Sequence, residues 1–417
     1  MNTVDRIDVA IVGGGMVGTA TALACLARGL SVTLVDPGGI RNAASYGNAG
    51  VISRGSLFPV AGPGVLKKLP RYALNRDVAI RVDYGSLLAV APWLVAFMRR
   101  CNEASWREAA AALDPLCAAA YDEHWRIAGE IGARDLIVRR GWVKLYRSEE
   151  AFAAGALERE LLGQHKVAFE VIDGAELPQF EPALKRRYAR AVWHTETGSV
   201  RDPGALVQAY EAAAVQRGAT LVAARARTVE EDGDGAKVLL EGGGEVRAKT
   251  VVIAAGAAAH DLTRMMGYRL PLAAERGYHR HFADASEHKL SRPIHDTGGG
   301  YVVSPMNAGL RLLSGVELAR REAPANFSQI TAVEADARRT VAMGDSVEPA
   351  PWHGARPSTP DGLPVIGRAP HHPHVVFAFG HGHIGLSTGP ITGRVVADIV
   401  TGATSAVPIT PFSPGRF

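Results

Sequence analysis

Three glycines close to the N-terminus have the spacing of a loop that binds a dinucleotide. Gly13, Gly15 and Gly18 form the pattern G-x-G-x-x-G between an apolar run at residues 8–12 and an alanine-rich segment. In this pattern the first glycine permits a tight turn, the second lets the backbone approach a pyrophosphate, and the third lets a helix and a strand pack closely. The following helix would offer free N–H groups and a partial positive charge to a diphosphate. The pattern therefore predicts a strand, a loop and a helix that bind a dinucleotide.

An acidic residue ends the next apolar run. Residues 31–36 are typical of a second strand, and Asp36 is the last of them. A carboxylate at this place can accept hydrogen bonds from a ribose diol and would repel a 2′-phosphate, which argues against NADP. A glycine-rich turn in an ordinary α/β protein is the alternative, but it explains neither the glycine spacing nor Asp36.

Two further segments could lie against the same ligand. Residues 41–52 are rich in small residues, asparagine and glycine, which let a loop wrap closely around a planar ligand; an ordinary surface loop is the alternative. Residues 250–257 form an apolar run in which Ala255 and Gly256 follow the predicted strand, so the backbone could pass close to a cofactor. A plain core strand explains that run equally well.

Strand and helix patterns surround these motifs. Residues 84–133 are typical of two or three helices, and residues 270–314 of strands with polar, aromatic-bearing faces. Asp202 is a good N-cap and Pro203 a good first residue for a helix that follows. Residues 330–343 are predicted to form another helix.

Composition excludes several classes of function. The 417 residues are 47% hydrophobic and 21% charged, which suits a large core and more than one domain. The formal net charge is +4, from 46 basic and 42 acidic side chains, and no basic run is interleaved with aromatic residues, so we expect no nucleic-acid partner. Cys25, Cys101 and Cys117 are scattered without metal-ligand spacing, which predicts free thiols, a reducing compartment and no metal site.

The longest uncharged stretch covers residues 84–98. It contains a proline and is shorter than the ~20 residues that a helix needs to cross a bilayer, so the pattern favours a buried helix. Peripheral contact with the inner membrane is the alternative, helped by the flanking Arg99 and Arg100. Residues 1–8 lack the layout of a signal peptide, which predicts a cytoplasmic location.

On these residues the chain resembles a known family. Residues 11–18 resemble the opening of FAD-dependent amine and amino-acid oxidoreductases, and residues 356–367, followed by 380–383, resemble the D-amino-acid oxidase/dehydrogenase superfamily. Residues 48–50 and 63–67 are most similar to bacterial D-amino acid dehydrogenases. The tail is the more specific part of this resemblance, because the first motif is shared by many flavoproteins and NAD enzymes.

The resemblance implies an α/β fold with two discontinuous domains. A Rossmann-like FAD-binding domain would use residues 1–80, 190–265 and 350–417. An α+β substrate-binding domain, built on an antiparallel sheet, would use residues 81–189 and 266–349.

The resemblance also implies that FAD is bound, and that it is bound non-covalently. No cysteine follows Cys117 and no histidine precedes His124, so neither a late cysteine nor an early histidine is available as a tether. The expected cofactor-binding residues are Gly13, Gly15, Met16, Val17, Gly18, Asp36, Ser45, Asn48, Ala49, Gly50, Val51, Ala255, Gly256, Gly380, Gly382, His383, Ile384, Gly385 and Leu386.

The loop at residues 380–385 precedes the predicted last helix. Its N–H groups could face the electron-rich N1–C2=O edge of the flavin and stabilise the reduced anion. His381 or His383 could add to this effect. Hydrogen-bonded scaffolding is the alternative for both histidines.

Arg356 is the first candidate for holding the substrate. A guanidinium can bind a carboxylate through two hydrogen bonds and keeps its charge when desolvated, and in the resembled family the arginine of this Arg-Pro motif has that role. A structural salt bridge with Asp361 is the alternative. Tyr278 and Tyr301 fall on strands that should face the flavin, with core packing as the alternative for each. Arg356, the two tyrosines and His383 form the predicted catalytic set.

The activity that the resemblance implies is oxidation of an amino acid. A hydride would leave Cα for flavin N5, and the protein would hold and orient the substrate. The expected substrates are D-amino or cyclic imino acids, and residues 382–389 depart from the alanine-type pattern in a way that favours D-proline or a hydroxyproline. The expected acceptor is a quinone or another electron-transfer partner. His279 and His281 are weaker candidates for a catalytic role, because they alternate with Tyr278 on one strand.

Three alternatives stay open at this point. A sarcosine- or glycine-type oxidase would pass electrons to oxygen. A non-catalytic nucleotide-binding regulatory subunit would show no reaction with a substrate. A nicotinamide dehydrogenase would leave residues 354–367 unexplained. The sequence also leaves open a homo- or hetero-oligomer.

Overall fold

The computed structural model describes residues 6–417. The strands, numbered in chain order, are β1 (Ile7–Val12), β2 (Val32–Val35), β3 (Val51–Ser53), β4 (Ile80–Val82), β5 (Ile137–Val138), β6 (Trp142–Tyr146), β7 (Phe169–Asp173), β8 (Arg190–His194), β9 (Thr197–Val200), β10 (Thr220–Val222), β11 (Ala226–Glu231), β12 (Ala236–Leu240), β13 (Glu245–Ile253), β14 (Ala273–Asp284), β15 (Ile294–Asp296), β16 (Tyr301–Met306), β17 (Gly309–Leu313), β18 (Val316–Leu318), β19 (Met343–Ser346), β20 (Trp352–Ser358), β21 (Val365–Ala369) and β22 (His372–Phe379). The α-helices are α1 (Met16–Leu26), α2 (Val65–Ala73), α3 (Leu87–Arg100), α4 (Glu103–Glu130), α5 (Glu149–Ala154), α6 (Ala156–Gln164), α7 (Leu177–Phe180), α8 (Pro203–Gln216), α9 (Ala259–Met265), α10 (Ser328–Ala337) and α11 (Gly385–Thr401).

The first sheet is built around the N-terminal strand. The strands β10, β2, β1, β13 and β22 lie side by side and parallel, and β21 closes the edge antiparallel to β22. The hairpin β11–β12 pairs with the first half of β13. Because β1 and β2 are covered on both faces, four consecutive residues of each strand are buried without alternation. This parallel sheet with flanking helices is the Rossmann-like unit that the sequence predicts.

Two helices cover one face of this sheet and approach each other closely. A Cβ atom added at Gly389 of α11 would lie 2.5 Å from Met16 Cγ, and one at Gly393 would lie 2.6 Å from the carbonyl carbon of Ala20. Only glycine therefore permits this separation between α1 and α11. The close contact brings the N-terminal ends of the two helices together.

The second sheet is centred on the long strand β14. Its strand order is β4-β18-β14-β17-β16-β15-β6-β8-β7, and β19 and β20 also pair with β14. Most neighbours are antiparallel, whereas β15–β6 and β18–β4 are parallel. The helix α10 packs on one face of this sheet through Ile330, Val333 and Ala337. The predicted antiparallel sheet is therefore present, with two parallel contacts.

Two strands differ from the predicted domain boundaries. The sequence assigned residues 190–194 and 352–358 to the nucleotide-binding segments, but β8 and β20 hydrogen-bond into the second sheet. The chain thus crosses between the sheets after these strands rather than before them. The division into two domains stays a prediction, with these two boundaries moved.

The helical region between the sheets agrees with its sequence pattern. Residues 84–133 contain α3 and α4, and Asp202 caps α8 by accepting a hydrogen bond from Ala205 N at 2.9 Å. The helix predicted over residues 330–343 ends earlier, at Ala337. It ends there because Thr340 turns its hydroxyl to the buried Tyr301 and Met343 pairs with β14 as a strand.

The apolar stretch at residues 84–98 forms most of α3. Val90, Trp93 and Phe97 on its inner face are buried, whereas Leu88 on its outer face is 92% exposed. Within residues 6–417, no helix combines the length and the hydropathy that a bilayer crossing requires. The predicted buried helix is therefore only half buried.

Candidate active site

The glycine loop between β1 and α1 is shaped by backbone contacts. Gly13 has a φ of +112°, and a Cβ there would lie 2.5 Å from the carbonyl oxygen of Ala254. A Cβ at Gly18 would collide with the carbonyl oxygen of Gly13. At Gly15 the nearest atom to an added Cβ is Ser45 Oγ, at 3.5 Å. Two of the glycines are thus required by packing, and the third leaves room at the start of α1 for a diphosphate.

Asp36 and Ser45 lie beside this loop. The Asp36 carboxylate accepts hydrogen bonds from Gly14 N at 2.6 Å and from Gly38 N at 2.7 Å. The Ser45 hydroxyl accepts a hydrogen bond from Met16 N at 3.2 Å. The carboxylate is therefore fixed at the end of β2, where a ribose would follow a diphosphate bound at the helix N-terminus.

The loop at residues 45–50 is held by the second sheet. Arg311 of β17 donates through Nη1 to the carbonyl oxygens of Tyr46, at 2.8 Å, and Asn48, at 2.7 Å. The side-chain amide of Asn48 donates through Nδ2 to the carbonyl oxygen of His383 at 3.4 Å. The loops at residues 45–50 and 380–385 are therefore neighbours, as binding of one ligand by both requires.

The loop before α11 contains two histidines with different surroundings. His381 is buried, and its Nε2 contacts the Thr392 hydroxyl at 3.1 Å. Burial lowers the pKa of His381 to about 4, so this ring is neutral near pH 7. His383 hydrogen-bonds through Nε2 to the Glu275 carboxylate at 2.8 Å. His381 is thus scaffolding, whereas His383 joins the loop to the second sheet.

Arg356 lies on β20, directly opposite Glu275 on β14. Its guanidinium lies over Gly277, where a Cβ would come within 2.5 Å of Arg356 Cζ. Its Nη1 is buried and has no hydrogen-bond partner within the described residues. Burial lowers the pKa of Arg356, and the nearby Glu275 acts in the opposite direction. Since a buried guanidinium nitrogen needs an acceptor, this geometry fits an anionic ligand group.

The alternative role for Arg356 is not supported. Asp361 accepts a hydrogen bond from Arg416 Nε at 2.9 Å and forms its ion pair there. The alternative of a structural salt bridge between Arg356 and Asp361 is therefore not supported, because Asp361 pairs with Arg416.

The two tyrosines of the predicted catalytic set point away from Arg356. Tyr278 hydrogen-bonds to Glu317 and accepts a hydrogen bond from Asn326 N at 3.1 Å. The Tyr301 hydroxyl contacts Thr340 Oγ1 at 2.7 Å.

Both tyrosine rings lie in the core beneath α10. Successive side chains of a strand alternate between its faces, so Glu275 and Gly277 share the face of Arg356 and Tyr278 does not. The strand of Tyr278 was placed correctly, but the structure does not bring either tyrosine to the site.

The histidines that alternate with Tyr278 do lie on the site-facing side. The His279 ring stacks on Trp352, with centroids 4.7 Å apart. His281 accepts a hydrogen bond from Arg311 Nε at 2.9 Å and contacts Glu348 through Nδ1. Nitrogen and oxygen atoms of His279, His281 and Glu348 lie within 4.8 Å of one another, but the adjoining Arg311 cation disfavours a metal ion. These residues support the loop at residues 45–50.

A cleft opens beside the Glu275–His383 pair. Its volume is about 80 Å³, and Glu275, Ser358 and His383 contribute polar groups to its lining. Apolar side chains, among them Phe58 and Phe97, form another part of its wall. The cleft therefore combines charged groups with a wall suited to an aliphatic side chain.

Comparison with known proteins decides the family. The chain matches the family described as DAO, FAD dependent oxidoreductase, over residues 8–399. The chain belongs to the DAO family of FAD-dependent oxidoreductases.

Relatives of this DAO-family protein carry two kinds of name. It is 37% identical over 418 residues to a protein of Bradyrhizobium diazoefficiens named D-amino-acid oxidase, with 98% of each chain covered. It is 27% identical to a D-amino acid dehydrogenase of Xylella fastidiosa strain M12, with 94% of this chain and 91% of that protein covered.

Solved structures share the fold of this DAO-family protein. Glycine oxidase from Geobacillus kaustophilus superposes with a TM-score of 0.78 at 23% identity, with 99% of each chain covered. L-proline dehydrogenase from P. horikoshii superposes with a TM-score of 0.73 at 17% identity, with 99% of this chain and 98% of that chain covered.

This DAO-family protein is a flavoenzyme, and its residues fit FAD. The start of α1 is open at Gly15, Asp36 is fixed beside it, and the loops at residues 45–50 and 380–385 adjoin. Membership of the family excludes the non-catalytic subunit and the nicotinamide dehydrogenase that the sequence left open. The contacts of the individual cofactor-binding residues stay predictions.

Glu275 is the site residue that sequence reasoning missed. It is 3% exposed, lies directly opposite Arg356 on the neighbouring strand and hydrogen-bonds to His383. Strand alternation places Glu275 on the face opposite to Tyr278, but nothing in the sequence marks that face as the one that faces the site. Its partner His383 comes from a loop more than 100 residues later in the chain, which strand alternation does not reveal.

Proposed function

We propose that this protein oxidises D-amino or cyclic imino acids at Cα and passes the electrons to a quinone or another electron-transfer acceptor. The observation that carries the proposal is the Arg356 guanidinium, whose buried Nη1 lacks a partner within residues 6–417. It lies on the same sheet face as Glu275, which hydrogen-bonds to the loop before α11. A fixed cation at this place suits the carboxylate of an amino acid.

The side chains of the site divide the work of holding the substrate. Arg356 binds the carboxylate through two hydrogen bonds and fixes the direction of the Cα–H bond. The apolar wall with Phe58 and Phe97 accepts the substrate side chain and excludes water. When bound, FAD supplies the two-electron acceptor for the hydride that leaves Cα.

FAD is held without a covalent bond in this proposal. Cys25, Cys101 and Cys117 are buried, and burial raises the pKa of these thiols to about 12, 11 and 12, respectively. A thiol that stays protonated is a poor nucleophile toward a flavin. The glycine loop, Asp36 and the two adjoining loops supply the contacts instead.

Within this class of substrates we favour cyclic imino acids such as D-proline or a hydroxyproline. The run from Gly382 to Gly389 departs from the alanine-type pattern, and the wall of the cleft includes apolar side chains as well as Glu275. A ring that joins the amine to the side chain would place its methylene groups against this wall.

The decisive experiment is anaerobic flavin reduction. The purified holoenzyme is mixed under nitrogen with a panel of D-amino acids, D-proline and hydroxyprolines, and the flavin absorbance is followed. Loss of the oxidised flavin band with at least one of these substrates is expected. A flavin that stays oxidised with the whole panel would refute the proposal.

A second candidate concerns the electron acceptor. The relative from Bradyrhizobium diazoefficiens is named an oxidase, which favours oxygen as acceptor. The reduced enzyme is therefore mixed with oxygen or with a soluble quinone, and the reoxidation rates are compared. Faster reoxidation by the quinone supports the dehydrogenase, whereas fast reoxidation by oxygen with formation of peroxide supports the oxidase.

We also propose that the protein is cytoplasmic and rests on the surface of an anionic membrane. Leu88 of α3 is 92% exposed, and Leu74 at the end of α2 is 58% exposed. The Tyr84 hydroxyl donates to the carbonyl oxygen of Ala73 at 2.7 Å, which links the two helices.

Basic residues flank this exposed apolar surface. Lys67, Lys68 and Arg71 of α2 are exposed, as are Arg99 and Arg100 at the end of α3. An apolar surface bordered by basic residues suits the headgroup region of an anionic bilayer, from which a lipid-soluble quinone could approach.

A further inference from the structure

Two opposite charges lie side by side on the site-facing side of the second sheet. Glu275 of β14 and Arg356 of β20 are direct partners in the strand register, so both side chains leave the sheet on one face. Arg356 folds over Gly277, whereas Glu275 turns to His383. The two charged side chains are thus neighbours. Within residues 6–417, the Glu275 carboxylate hydrogen-bonds to His383, whereas Arg356 Nη1 has no hydrogen-bond partner.

The surroundings of Glu275 keep its carboxylate ionised. Burial alone would raise its pKa, but the hydrogen bond from His383 and the nearby charge of Arg356 outweigh burial and hold the pKa below its usual range. An ionised carboxylate has about four lone-pair sites, so the hydrogen bond with His383 leaves room for further donors. Glu275 also lines the cleft of about 80 Å³, from which such a donor can reach it.

An amino acid offers a carboxylate and an amine on one carbon atom. In the proposed function, Arg356 binds the carboxylate of the substrate. The buried Glu275 carboxylate beside Arg356 is costly unless a cation or several hydrogen-bond donors contact it. We propose that Glu275 binds the amino group of the substrate and that the Glu275–Arg356 pair selects zwitterions over simple carboxylates. This inference rests on the proposed function and adds the group that recognises the amine.

The arrangement explains why secondary amines would be accepted. A carboxylate needs only one N–H directed at it, so the ring nitrogen of a cyclic imino acid can satisfy Glu275 as a primary amine does. A 2-hydroxy acid offers Glu275 a neutral hydroxyl, and a simple carboxylate offers it no donor, so neither supplies the charged N–H donor of an amine. His383 contacts Glu275 on the side of the loop and is a positioning residue.

Binding to the reduced enzyme tests this assignment apart from turnover. The holoenzyme is reduced with dithionite under nitrogen, so that an amino acid binds without being oxidised, and dissociation constants are measured by calorimetry. The ligands form two pairs that differ in the amine: D-alanine with propanoate, and D-proline with cyclopentanecarboxylate. The variants are E275Q and E275D, and R356K serves as the reference for the carboxylate side.

We expect E275Q to weaken binding of both amines by at least about tenfold, and of both simple carboxylates by less than about threefold. E275D, which keeps the charge, should restore part of the difference. R356K should weaken all four ligands. The variant E317Q is the matched control, because Glu317 is an equally buried glutamate that faces the opposite side of the same sheet; it should change neither class.

The outcomes separate the two proposals. Equal weakening of amines and simple carboxylates by E275Q, or no weakening of either, would overturn the role of Glu275. A wild-type enzyme that is not reduced by any D-amino or imino acid would overturn the proposed function and this inference with it. If E275Q loses FAD or fails to fold, E275D decides alone: selective weakening of the amines supports the assignment, and uniform weakening overturns it.

Discussion

Arg311 on β17 donates a hydrogen bond to the carbonyl oxygen of Asn48 at 2.7 Å, and this contact joins the second sheet to the loop at residues 45–50. The same nitrogen reaches the Tyr46 carbonyl oxygen, and Arg311 Nε reaches His281. Burial lowers the pKa of Arg311 to about 10, which still leaves the side chain charged near pH 7. One cation in the substrate-side sheet therefore sets the shape of a predicted FAD-binding loop.

Replacing Arg311 should weaken FAD binding. We expect R311M to raise the dissociation constant for FAD by at least about tenfold, because hydrogen bonds from a charged donor are each worth about 1.5–3 kcal/mol. Fluorescence quenching of FAD on addition to the apoprotein measures the constant. The matched control is R280M, since Arg280 bonds to Ser346 Oγ at 2.9 Å on the opposite face of the sheet. Equal losses in both variants would show that the effect is general destabilisation.

Replacing Arg356 should affect the substrate and leave FAD in place. R356K keeps the charge but cannot bind a carboxylate in the bidentate geometry of a guanidinium. We therefore expect the Michaelis constant for the amino acid to rise about 100-fold, with FAD content unchanged. Steady-state kinetics and the flavin absorbance of the purified variant give the two quantities. R416K is the control, because Arg416 pairs with Asp361 in the neighbouring segment. Loss of flavin in step with activity would instead indicate a folding role for Arg356.

The sequence allowed the dinucleotide loop to be predicted. Gly13, Gly18 and Asp36 were identifiable because local spacing alone defines a strand–loop–helix unit. The face of β14 could not be assigned in the same way. Tyr278 was assigned to the site because a hydroxyl on an aromatic ring suits a zwitterion, yet strand alternation together with the register to Arg356 places Glu275 there instead.

Some features could not be predicted because distant segments create them. The contact between His383 and Glu275 joins residues that are 108 positions apart, and the role of Arg311 depends on a loop 263 positions earlier. The sequences of residues 190–194 and 352–358 do not indicate which sheet these residues join. The exposed outer face of α3 was hidden in the sequence because its inner and outer sides are equally apolar.

The packing of α1 against α11 should tolerate no added methyl group at Gly393. An added Cβ would lie 2.6 Å from the carbonyl carbon of Ala20, so G393A should lower the stability of the protein by about 1–3 kcal/mol through overpacking. Thermal unfolding of the holoenzyme measures the change. G163A is the matched control, since an added Cβ on α6 meets no atom within 4 Å; it should be neutral or stabilise the helix by up to about 1 kcal/mol. A stable G393A variant would contradict the close contact.

Acid should destabilise the contact between α4 and α11. His124 is fully buried between the Leu386 carbonyl oxygen, at 2.8 Å, and the Tyr210 hydroxyl, at 3.2 Å. Burial lowers its pKa to about 4, below the ~6.5 of an exposed histidine. The unfolded chain therefore binds more protons between these values, and stability falls as the pH drops from about 6.5 to about 4.

A variant without this histidine should lose part of that pH dependence. We expect H124Q to show a smaller change in unfolding midpoint between about pH 7.5 and about pH 5 than the wild type, because each unit of pKa is worth about 1.4 kcal/mol. H288Q, which removes an exposed histidine, should keep the wild-type slope. An unchanged slope in H124Q would show that other groups dominate the acid response.

The exposed face of α3 should bind anionic membranes. L88E places a negative charge at a side chain that is 92% exposed, so its binding to phosphatidylglycerol vesicles should fall at least about tenfold, through lost apolar contact and charge repulsion. Vesicle sedimentation measures the bound fraction, and added salt should weaken wild-type binding because the basic residues of α2 are exposed. V215E is the control, since Val215 is 46% exposed on α8 and a charge there leaves α3 intact. If the vesicles bind neither the wild type nor V215E, α3 is excluded as the membrane-facing surface. The same conclusion follows if the vesicles bind L88E as tightly as they bind the wild type and V215E.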